Sequence, residues 1–139
     1  MGYSRSMSAE NLELVHELYS RLEKGDFAMG EFFDPQVELI RIGADAVGAA
    51  GTWRGLDEMW KTMVEWLQAW EDLRVEAERC IDVDDRVLVL ERQTARGKRS
   101  GLPYDRETGQ LFTIRHRKIV RWESYWERDE ALAAAGVPA

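Results

Sequence analysis

The first half of the chain carries apolar residues at the spacing of α-helices. Between Ser8, a good N-cap, and Gly25, a good helix end, one face of a predicted helix is apolar: Leu12, Val15, Leu18, Tyr19 and Leu22. A short second helix is predicted over 26–33. A third, over 57–70, is amphipathic, with its apolar face made by Met59, Trp60, Met63, Leu67 and Trp70.

The second half of the chain has the alternation of β-strands joined by tight turns. A first strand is predicted over 37–42, and four more follow the third helix, over 73–83, 86–96, 104–115 and 118–126. Gly109 indicates a bulge. Residues 43–55 hold four glycines and are predicted to form a loop. A short helix over 127–135 ends the pattern, and this order of elements predicts an α+β fold with a mainly antiparallel sheet.

Composition narrows the class of protein. The chain has 139 residues, enough for one domain, and we expect a disordered leader over 1–7 and a single domain over 8–139. Its net charge of -7 disfavours nucleic acid as a partner. Without an apolar run of about 18 residues we expect no membrane span. A single cysteine, Cys80, and two distant histidines indicate a reducing cytoplasm and no metal site.

Four segments together resemble one known family. Their order and spacing resemble the SnoaL-like branch of the nuclear-transport-factor-2-like superfamily. The segments are EKGDF, EFFDPQVEL, GTWRG and the closing FTIRHRKIVRWESYWERDEALAAAG. The resemblance implies a strongly curved sheet, wrapped by the N-terminal helices into a cone with an internal pocket. It also implies a homodimer paired through the outer sheet face, and chemistry without a cofactor.

Strand alternation and the resemblance together predict which side chains face the pocket. The strand over 86–96 has one face that we take as inward, and that face is made by Leu88, Leu90, Arg92 and Thr94. The predicted pocket consists of Tyr19, Leu39, Arg41, Trp53, Trp60, Leu90, Thr94, Gln110, Phe112, Trp122, Ser124 and Trp126.

Two residues are candidates for catalysis. Arg92 lies in a strand otherwise suited to burial, so it needs a carboxylate, a carbonyl or a ligand oxygen as partner. A structural ion pair is the alternative reading. His16 lies beside the apolar face of the first helix and is an acid/base candidate, with a satisfied structural histidine as the alternative.

The known chemistries of the superfamily fit this chain poorly. Ketosteroid isomerases resemble it in fold, but Leu39 occupies the position of their base and Gln110 lies near that of their second acid. Epoxide hydrolases of the superfamily share the arginine at Arg92, but Thr94 and Ser124 replace their two aspartates.

Polyketide cyclases of the branch need an inward carboxylate, which this face assignment does not supply. The carboxylates that a one-residue shift of the alternation would turn inward are Glu38, Asp45, Glu91, Glu107 and Glu123.

The resulting hypothesis is a small-molecule pocket protein. If it is an enzyme, it is a cofactor-independent isomerase, hydrolase or cyclase acting on an apolar, oxygen-bearing substrate. The alternative is a non-catalytic ligand-binding domain or a dimeric protein-interaction domain. The missing aspartates favour the alternative, whereas an inward arginine and an aromatic lining favour a pocket.

Overall fold

Two helices lie on one face of a six-stranded sheet and a third lies on the other. The computed structural model describes residues 2–43 and 50–138, and within them the chain is α+β, as predicted. The elements are α1 (Gly2–Glu23), a 3₁₀ turn (Gly30–Phe32), β1 (Phe33–Ile42), β2 (Gly51–Arg54), α2 (Leu56–Leu67), β3 (Trp70–Val83), β4 (Arg86–Gly97), β5 (Pro103–Arg115), β6 (Lys118–Tyr125) and α3 (Arg128–Ala135). Among the described helices, none has the length and apolar character needed to cross a membrane.

The sheet is antiparallel except at one pair of strands. Its strand order is β2-β1-β6-β5-β4-β3, and only β1 and β6 run parallel among its neighbours. The turn between β5 and β6 falls at His116-Arg117, between the strands predicted over 104–115 and 118–126, and both residues have positive φ, 50° and 62°. That conformation suits a two-residue hairpin between twisted strands. The meander β3 to β6 therefore follows the predicted order.

Several boundaries differ from the predictions. Helix α1 begins at Gly2, before Ser8, and includes most of the predicted leader. The predicted second helix is only the 3₁₀ turn, because Pro35 and the extended β1 follow at once. Part of the predicted loop over 43–55 is strand β2, which pairs with β1, while residues 44–49 of that loop lie outside the described residues.

Each face of the sheet has its own apolar core. Helices α1 and α2 cover the inner face, where Val15, Leu18, Val87 and Val89 are fully or almost fully buried. Helix α3 covers part of the outer face with a smaller cluster: Leu88, Leu90, Leu111, Tyr125, Ala131, Leu132 and Ala135. Strand β4 is thus apolar on both sides, which is typical of a strand covered on both faces.

Gly109 does not form the predicted bulge. It stays in register opposite Leu90 in β4 and opposite Tyr125 in β6. A Cβ at this position would lie 2.2 Å from the Cβ of Ala131 in α3. Glycine is therefore required here for close helix–sheet packing, and not for an extra residue in the strand.

Beyond α3 the outer face carries charge. The exposed charged residues of this region lie on β3, β4 and β5 and include Arg74, Glu76, Arg92, Asp105 and Glu107. The homodimer expected through this face stays a prediction.

Candidate functional site

A cavity lies between the inner sheet face and helices α1 and α2. Its volume is about 90 Å³, several times the roughly 10–15 Å³ that one water needs. Aromatic side chains from α2 and three strands form much of the wall: Phe33, Trp66, Phe112, Trp122 and Trp126. Trp122 packs between Phe33 and Phe112, with ring centroids 5.8 Å from each. The wall is therefore suited to an apolar, planar ligand.

Most of the predicted pocket residues do line this cavity. Their strands present alternate side chains inward, as the sequence predicted for β1, β5 and β6. Those in the wall are Tyr19, Leu39, Arg41, Gln110, Phe112, Trp122, Ser124 and Trp126.

Four predicted pocket residues lie elsewhere. Trp53, on β2, packs against the inner core without reaching the cavity wall. Trp60 is 43% exposed, because Met59 and Thr62 form the buried side of α2. Leu90 lies under α3 on the outer face, and Thr94 follows it on the same side of β4.

The two predicted catalytic residues are also outside the cavity, so their expected placement is wrong. Arg92 points to the outer face, where its Nε and Nη2 donate to Asp105 at 2.9 and 2.7 Å. His16 is exposed on α1. The buried stripe of that helix is formed by Val15, Leu18 and Tyr19, and the side chain of His16 points away from it.

The residue that does face the cavity from the centre of β4 is Glu91. Its side chain is 3% exposed, and it lies in the wall opposite Tyr19 of α1. The Tyr19 hydroxyl donates to its Oε2. Three further groups donate to its Oε1, namely Gln93 Nε2 at 2.5 Å, Thr108 Oγ1 at 3.2 Å and Gln110 Nε2 at 3.4 Å. Within the described part of the chain, its hydrogen-bond partners are thus neutral donors.

Two aromatic side chains hold the glutamines in turn. The Tyr104 hydroxyl donates to Gln93 Oε1 at 2.8 Å, and Trp122 Nε1 donates to Gln110 Oε1 at 2.6 Å. Tyr104 stacks on Trp70 with ring centroids 4.1 Å apart. The carboxyl therefore lies at the centre of a buried polar network that reaches from α1 to β6.

Burial determines the acid–base character of this pair. It raises the pKa of Glu91, while the hydrogen bonds from Tyr19, Gln93, Thr108 and Gln110 act in the opposite direction. Burial is also the main reason that the pKa of Tyr19 is well above its usual value, with the neighbouring Glu91 carboxylate adding to the effect. A carboxyl with a raised pKa beside a protonated phenol is a pair suited to proton transfer.

The alternation along β4 could not reveal Glu91 by itself. The run VLVLE is apolar on both faces, since the inner core covers one and α3 the other. The inward position of Glu91 is indicated instead by hydrogen-bond donors on neighbouring positions of the sheet. Gln93, Thr108 and Gln110 lie on the same face as Glu91, and the register pairs Glu91 with Thr108.

Cation–π contact marks one end of the cavity. The Arg106 guanidinium lies 4.3 Å from the centroid of the Trp126 ring and pairs with Glu127 at 2.5 Å. Within the ranges that the structure describes, no three His, Cys, Asp or Glu side chains are grouped as metal ligands.

A family model described as a SnoaL-like domain matches residues 15–122 of the chain. That span includes α1 from Val15 onwards, the whole of β4 with Glu91, and β6 as far as Trp122. No curated protein matches the sequence.

Solved structures share the fold over nearly the whole chain. A nuclear transport factor 2-like protein from Burkholderia thailandensis is 22% identical, with a TM-score of 0.75 over 92% of this chain and 98% of that one. A candidate SnoaL-like polyketide cyclase from Jannaschia is 17% identical, with a TM-score of 0.73 over 94% of both. A protein of ketosteroid isomerase-like fold from Catenulispora acidiphila, solved with trimethylamine, is 17% identical, with a TM-score of 0.69 over 91% and 94%. At such identities the likeness extends to the fold alone.

Proposed function

Since the chain belongs to the family of SnoaL-like domains, whose model matches most of its length, we propose that its cavity binds a small apolar molecule carrying a carbonyl group and that Glu91 exchanges a proton with it. The reaction class is isomerisation or cyclisation through an enolate, without a cofactor. The observation that carries this proposal is the Glu91 carboxyl, buried in the cavity wall among neutral donors.

The two oxygens of Glu91 differ in their surroundings. Oε1 accepts from Gln93, Thr108 and Gln110, whereas Oε2 accepts from Tyr19 alone. Because a carboxylate oxygen accepts about two hydrogen bonds, Oε2 is the oxygen with a lone pair left for a ligand proton. Proton transfer is therefore expected at Oε2, beside the Tyr19 hydroxyl.

The chemistry then follows from the two groups. Glu91 Oε2 takes a proton from the carbon next to the ligand carbonyl, and the electron pair of that C–H bond forms the enolate. Once Oε2 carries that proton, the Tyr19 hydroxyl, kept protonated by its raised pKa, turns from Oε2 and donates its hydrogen bond to the enolate oxygen. Return of the proton from Glu91 to another carbon completes an isomerisation. Attack of the enolate carbon on a second carbonyl, whose oxygen takes the proton, completes a cyclisation.

The apolar wall supports this assignment. Trp122, Phe112 and Phe33 line the same cavity as the carboxyl and pack on one another, which gives a surface for a planar skeleton. A base in such surroundings is more reactive than the same group in water, because it loses little hydration when it meets the ligand.

Hydrogen–deuterium exchange tests the proposal without knowledge of the natural substrate. A panel of aromatic ketones and 1,3-diketones is incubated with the protein in D₂O, and loss of the α-proton signal is followed by NMR. Saturable exchange is expected for at least one compound. Glu91→Gln should slow it by about 100-fold or more, the usual contribution of a general base.

The matched control is Arg92→Ala, one residue along the same strand but outside the cavity. It should exchange at the wild-type rate. Equal exchange by wild type and Glu91→Gln would contradict the proposal, as would the absence of both binding and exchange across the panel in folded protein. Binding is read from the fluorescence of Trp66, Trp122 and Trp126 in the wall.

One observation favours a second candidate, a non-catalytic ligand-binding domain. Four protein donors already contact the Glu91 carboxyl, so the network is well satisfied without a ligand. Saturable quenching of the cavity tryptophans without any exchange would favour this reading.

A further inference from the structure

We infer that Trp122 and Tyr104 are positioning residues for Glu91: each holds one glutamine carboxamide with its N–H groups toward the carboxyl, so that the network is built for the carboxylate form. This inference concerns the carboxyl of the proposed function and rests on that proposal for its catalytic meaning. The protonation state itself is measurable in the ligand-free protein.

The argument begins with Trp122, because an indole N–H donates and never accepts. Its Nε1 lies 2.6 Å from Gln110 Oε1, which must therefore be the carbonyl end of that amide. The amino end, Nε2, is left to point at Thr108 Oγ1 and Glu91 Oε1, at 3.3 and 3.4 Å. The orientation of Gln110 thus follows from its partner on β6, and not from the charge on Glu91.

Tyr104 holds the second glutamine less strictly, because a hydroxyl can donate or accept, and here it donates. Its hydroxyl lies 2.8 Å from Gln93 Oε1, and the Nε2 of the same amide lies 2.5 Å from Glu91 Oε1. Stacking on Trp70 keeps the Tyr104 ring in place. Both glutamines therefore present donors to the same carboxylate oxygen.

A protonated Glu91 would fit this arrangement poorly on the Oε1 side. A proton there would face the N–H groups of both glutamines, and an acceptor would become available only if an amide turned over. Turning Gln110 would set its amino group against the indole N–H of Trp122, leaving buried donors unpaired. The aromatic donors therefore favour the ionised form without touching Glu91.

Four neutral groups donate hydrogen bonds to the Glu91 carboxyl oxygens. The titratable and charged groups nearby are Tyr19 itself, Glu23 on α1 and Cys80 on β3, which act on Tyr19, and Arg41, which lines the same cavity from β1. The four hydrogen bonds lower the pKa of Glu91 and so stabilise its charge, against the effect of burial.

The test measures the titration of Glu91 in ligand-free protein. Carboxyl carbons are observed by NMR in protein labelled with ¹³C-glutamate, and the Glu91 signal is assigned by its loss in Glu91→Gln. Trp122→Phe and Tyr104→Phe each remove one donor and keep a ring. Each should raise the proton affinity of Glu91 by about 3- to 10-fold, moving its titration midpoint to higher pH.

Two matched controls separate this effect from packing. Trp60→Phe makes the same substitution on the exposed side of α2, and Tyr125→Phe removes a hydroxyl that donates to Glu123 at 2.9 Å. Neither should move the midpoint. An unchanged midpoint in both Trp122→Phe and Tyr104→Phe would overturn the inference. If Trp122→Phe does not fold, Tyr104→Phe, which loses a single oxygen from a partly exposed ring, decides alone.

The outcome is separable from that of the proposed function. A shifted midpoint in protein that catalyses no exchange would support the positioning roles and contradict the catalytic proposal. An unshifted midpoint in protein that loses exchange on Glu91→Gln would do the reverse.

Discussion

Glu91 and Arg92 are neighbours in β4, and their surroundings could hardly differ more. The Glu91 side chain is buried in a cavity wall and is contacted by neutral donors. The Arg92 side chain is 45% exposed and forms two parallel hydrogen bonds with Asp105, which is 53% exposed. Successive side chains of a strand point to opposite faces, so Glu91 lies in apolar, low-dielectric surroundings whereas Arg92 lies in water.

The difference shows where a charge has consequences. Water screens the pair of Arg92 and Asp105, so their ionisation costs the fold little and gains it little. Burial makes the charge of Glu91 costly, and the protein retains it only by arranging donors around it. A buried charge that is kept at a cost to stability is a marker of function.

The first prediction tests how sharply the outer face changes from core to surface. Gly109 lies opposite Leu90, under α3, two residues after Glu107 in the charged part of that face. Gly109→Ala would place its Cβ 2.2 Å from that of Ala131, so α3 must shift. We expect a loss of about 3 kcal/mol in unfolding free energy, measured by urea denaturation.

Gly30→Ala is the control for that substitution, because a Cβ there meets nothing within 4 Å. It should change stability by much less. Equal effects of the two substitutions would mean that α3 does not pack against β5 as closely as described.

The sequence predicted the fold well because local patterns determine it. Helical spacing located α1 and α2, and alternation with turn residues located β3 to β6 within a few residues. Strand β2 was missed because four residues among glycines carry almost no pattern, and its pairing with β1 is a tertiary contact.

The site was harder to predict, and β4 shows why. Alternation assigns residues to two sets but does not say which set faces inward when both are apolar. The outer set is apolar because helix α3, which is rich in alanine, covers it. That helix lies more than thirty residues further along the chain, so the strand itself does not reveal it. The choice of Arg92 over Glu91 was therefore wrong, whereas Arg41 on β1, Gln110 on β5 and Ser124 on β6 do line the cavity, as expected.

The second prediction measures the cost of the buried charge. Glu91→Gln keeps the shape of the side chain: its amide oxygen still accepts from Gln93, Thr108 and Gln110, and its amino group can donate to the Tyr19 oxygen. At neutral pH we expect the variant to be more stable than wild type, because it removes the cost of keeping a charge buried.

The pH dependence has a definite sign. Because burial raises the pKa of Glu91 in the folded state, its contribution to stability is fully present below its ordinary pKa of 4.5 and is lost as pH rises through the folded value. The advantage of the variant should thus be absent at acid pH and grow towards neutral pH. Glu76→Gln, exposed on the outer face opposite Arg92, should show no such growth. A constant advantage at all pH values would contradict the burial of a titrating carboxyl.

The last prediction concerns Arg92, where the smallest effect is expected. If the arginine were inside the cavity, Arg92→Ala would break a buried pair and destabilise the protein strongly. On the outer face its partner Asp105 remains solvated, although the pKa of that carboxyl is lowered by the hydrogen bond from Arg92. Arg92→Ala should therefore leave the urea midpoint nearly unchanged, with any small difference disappearing at high salt, and leave ligand quenching of the cavity tryptophans intact. A loss as large as that of Gly109→Ala, or a loss of ligand quenching, would show that the two faces of β4 are assigned the wrong way round, and the case for Glu91 would fail with it.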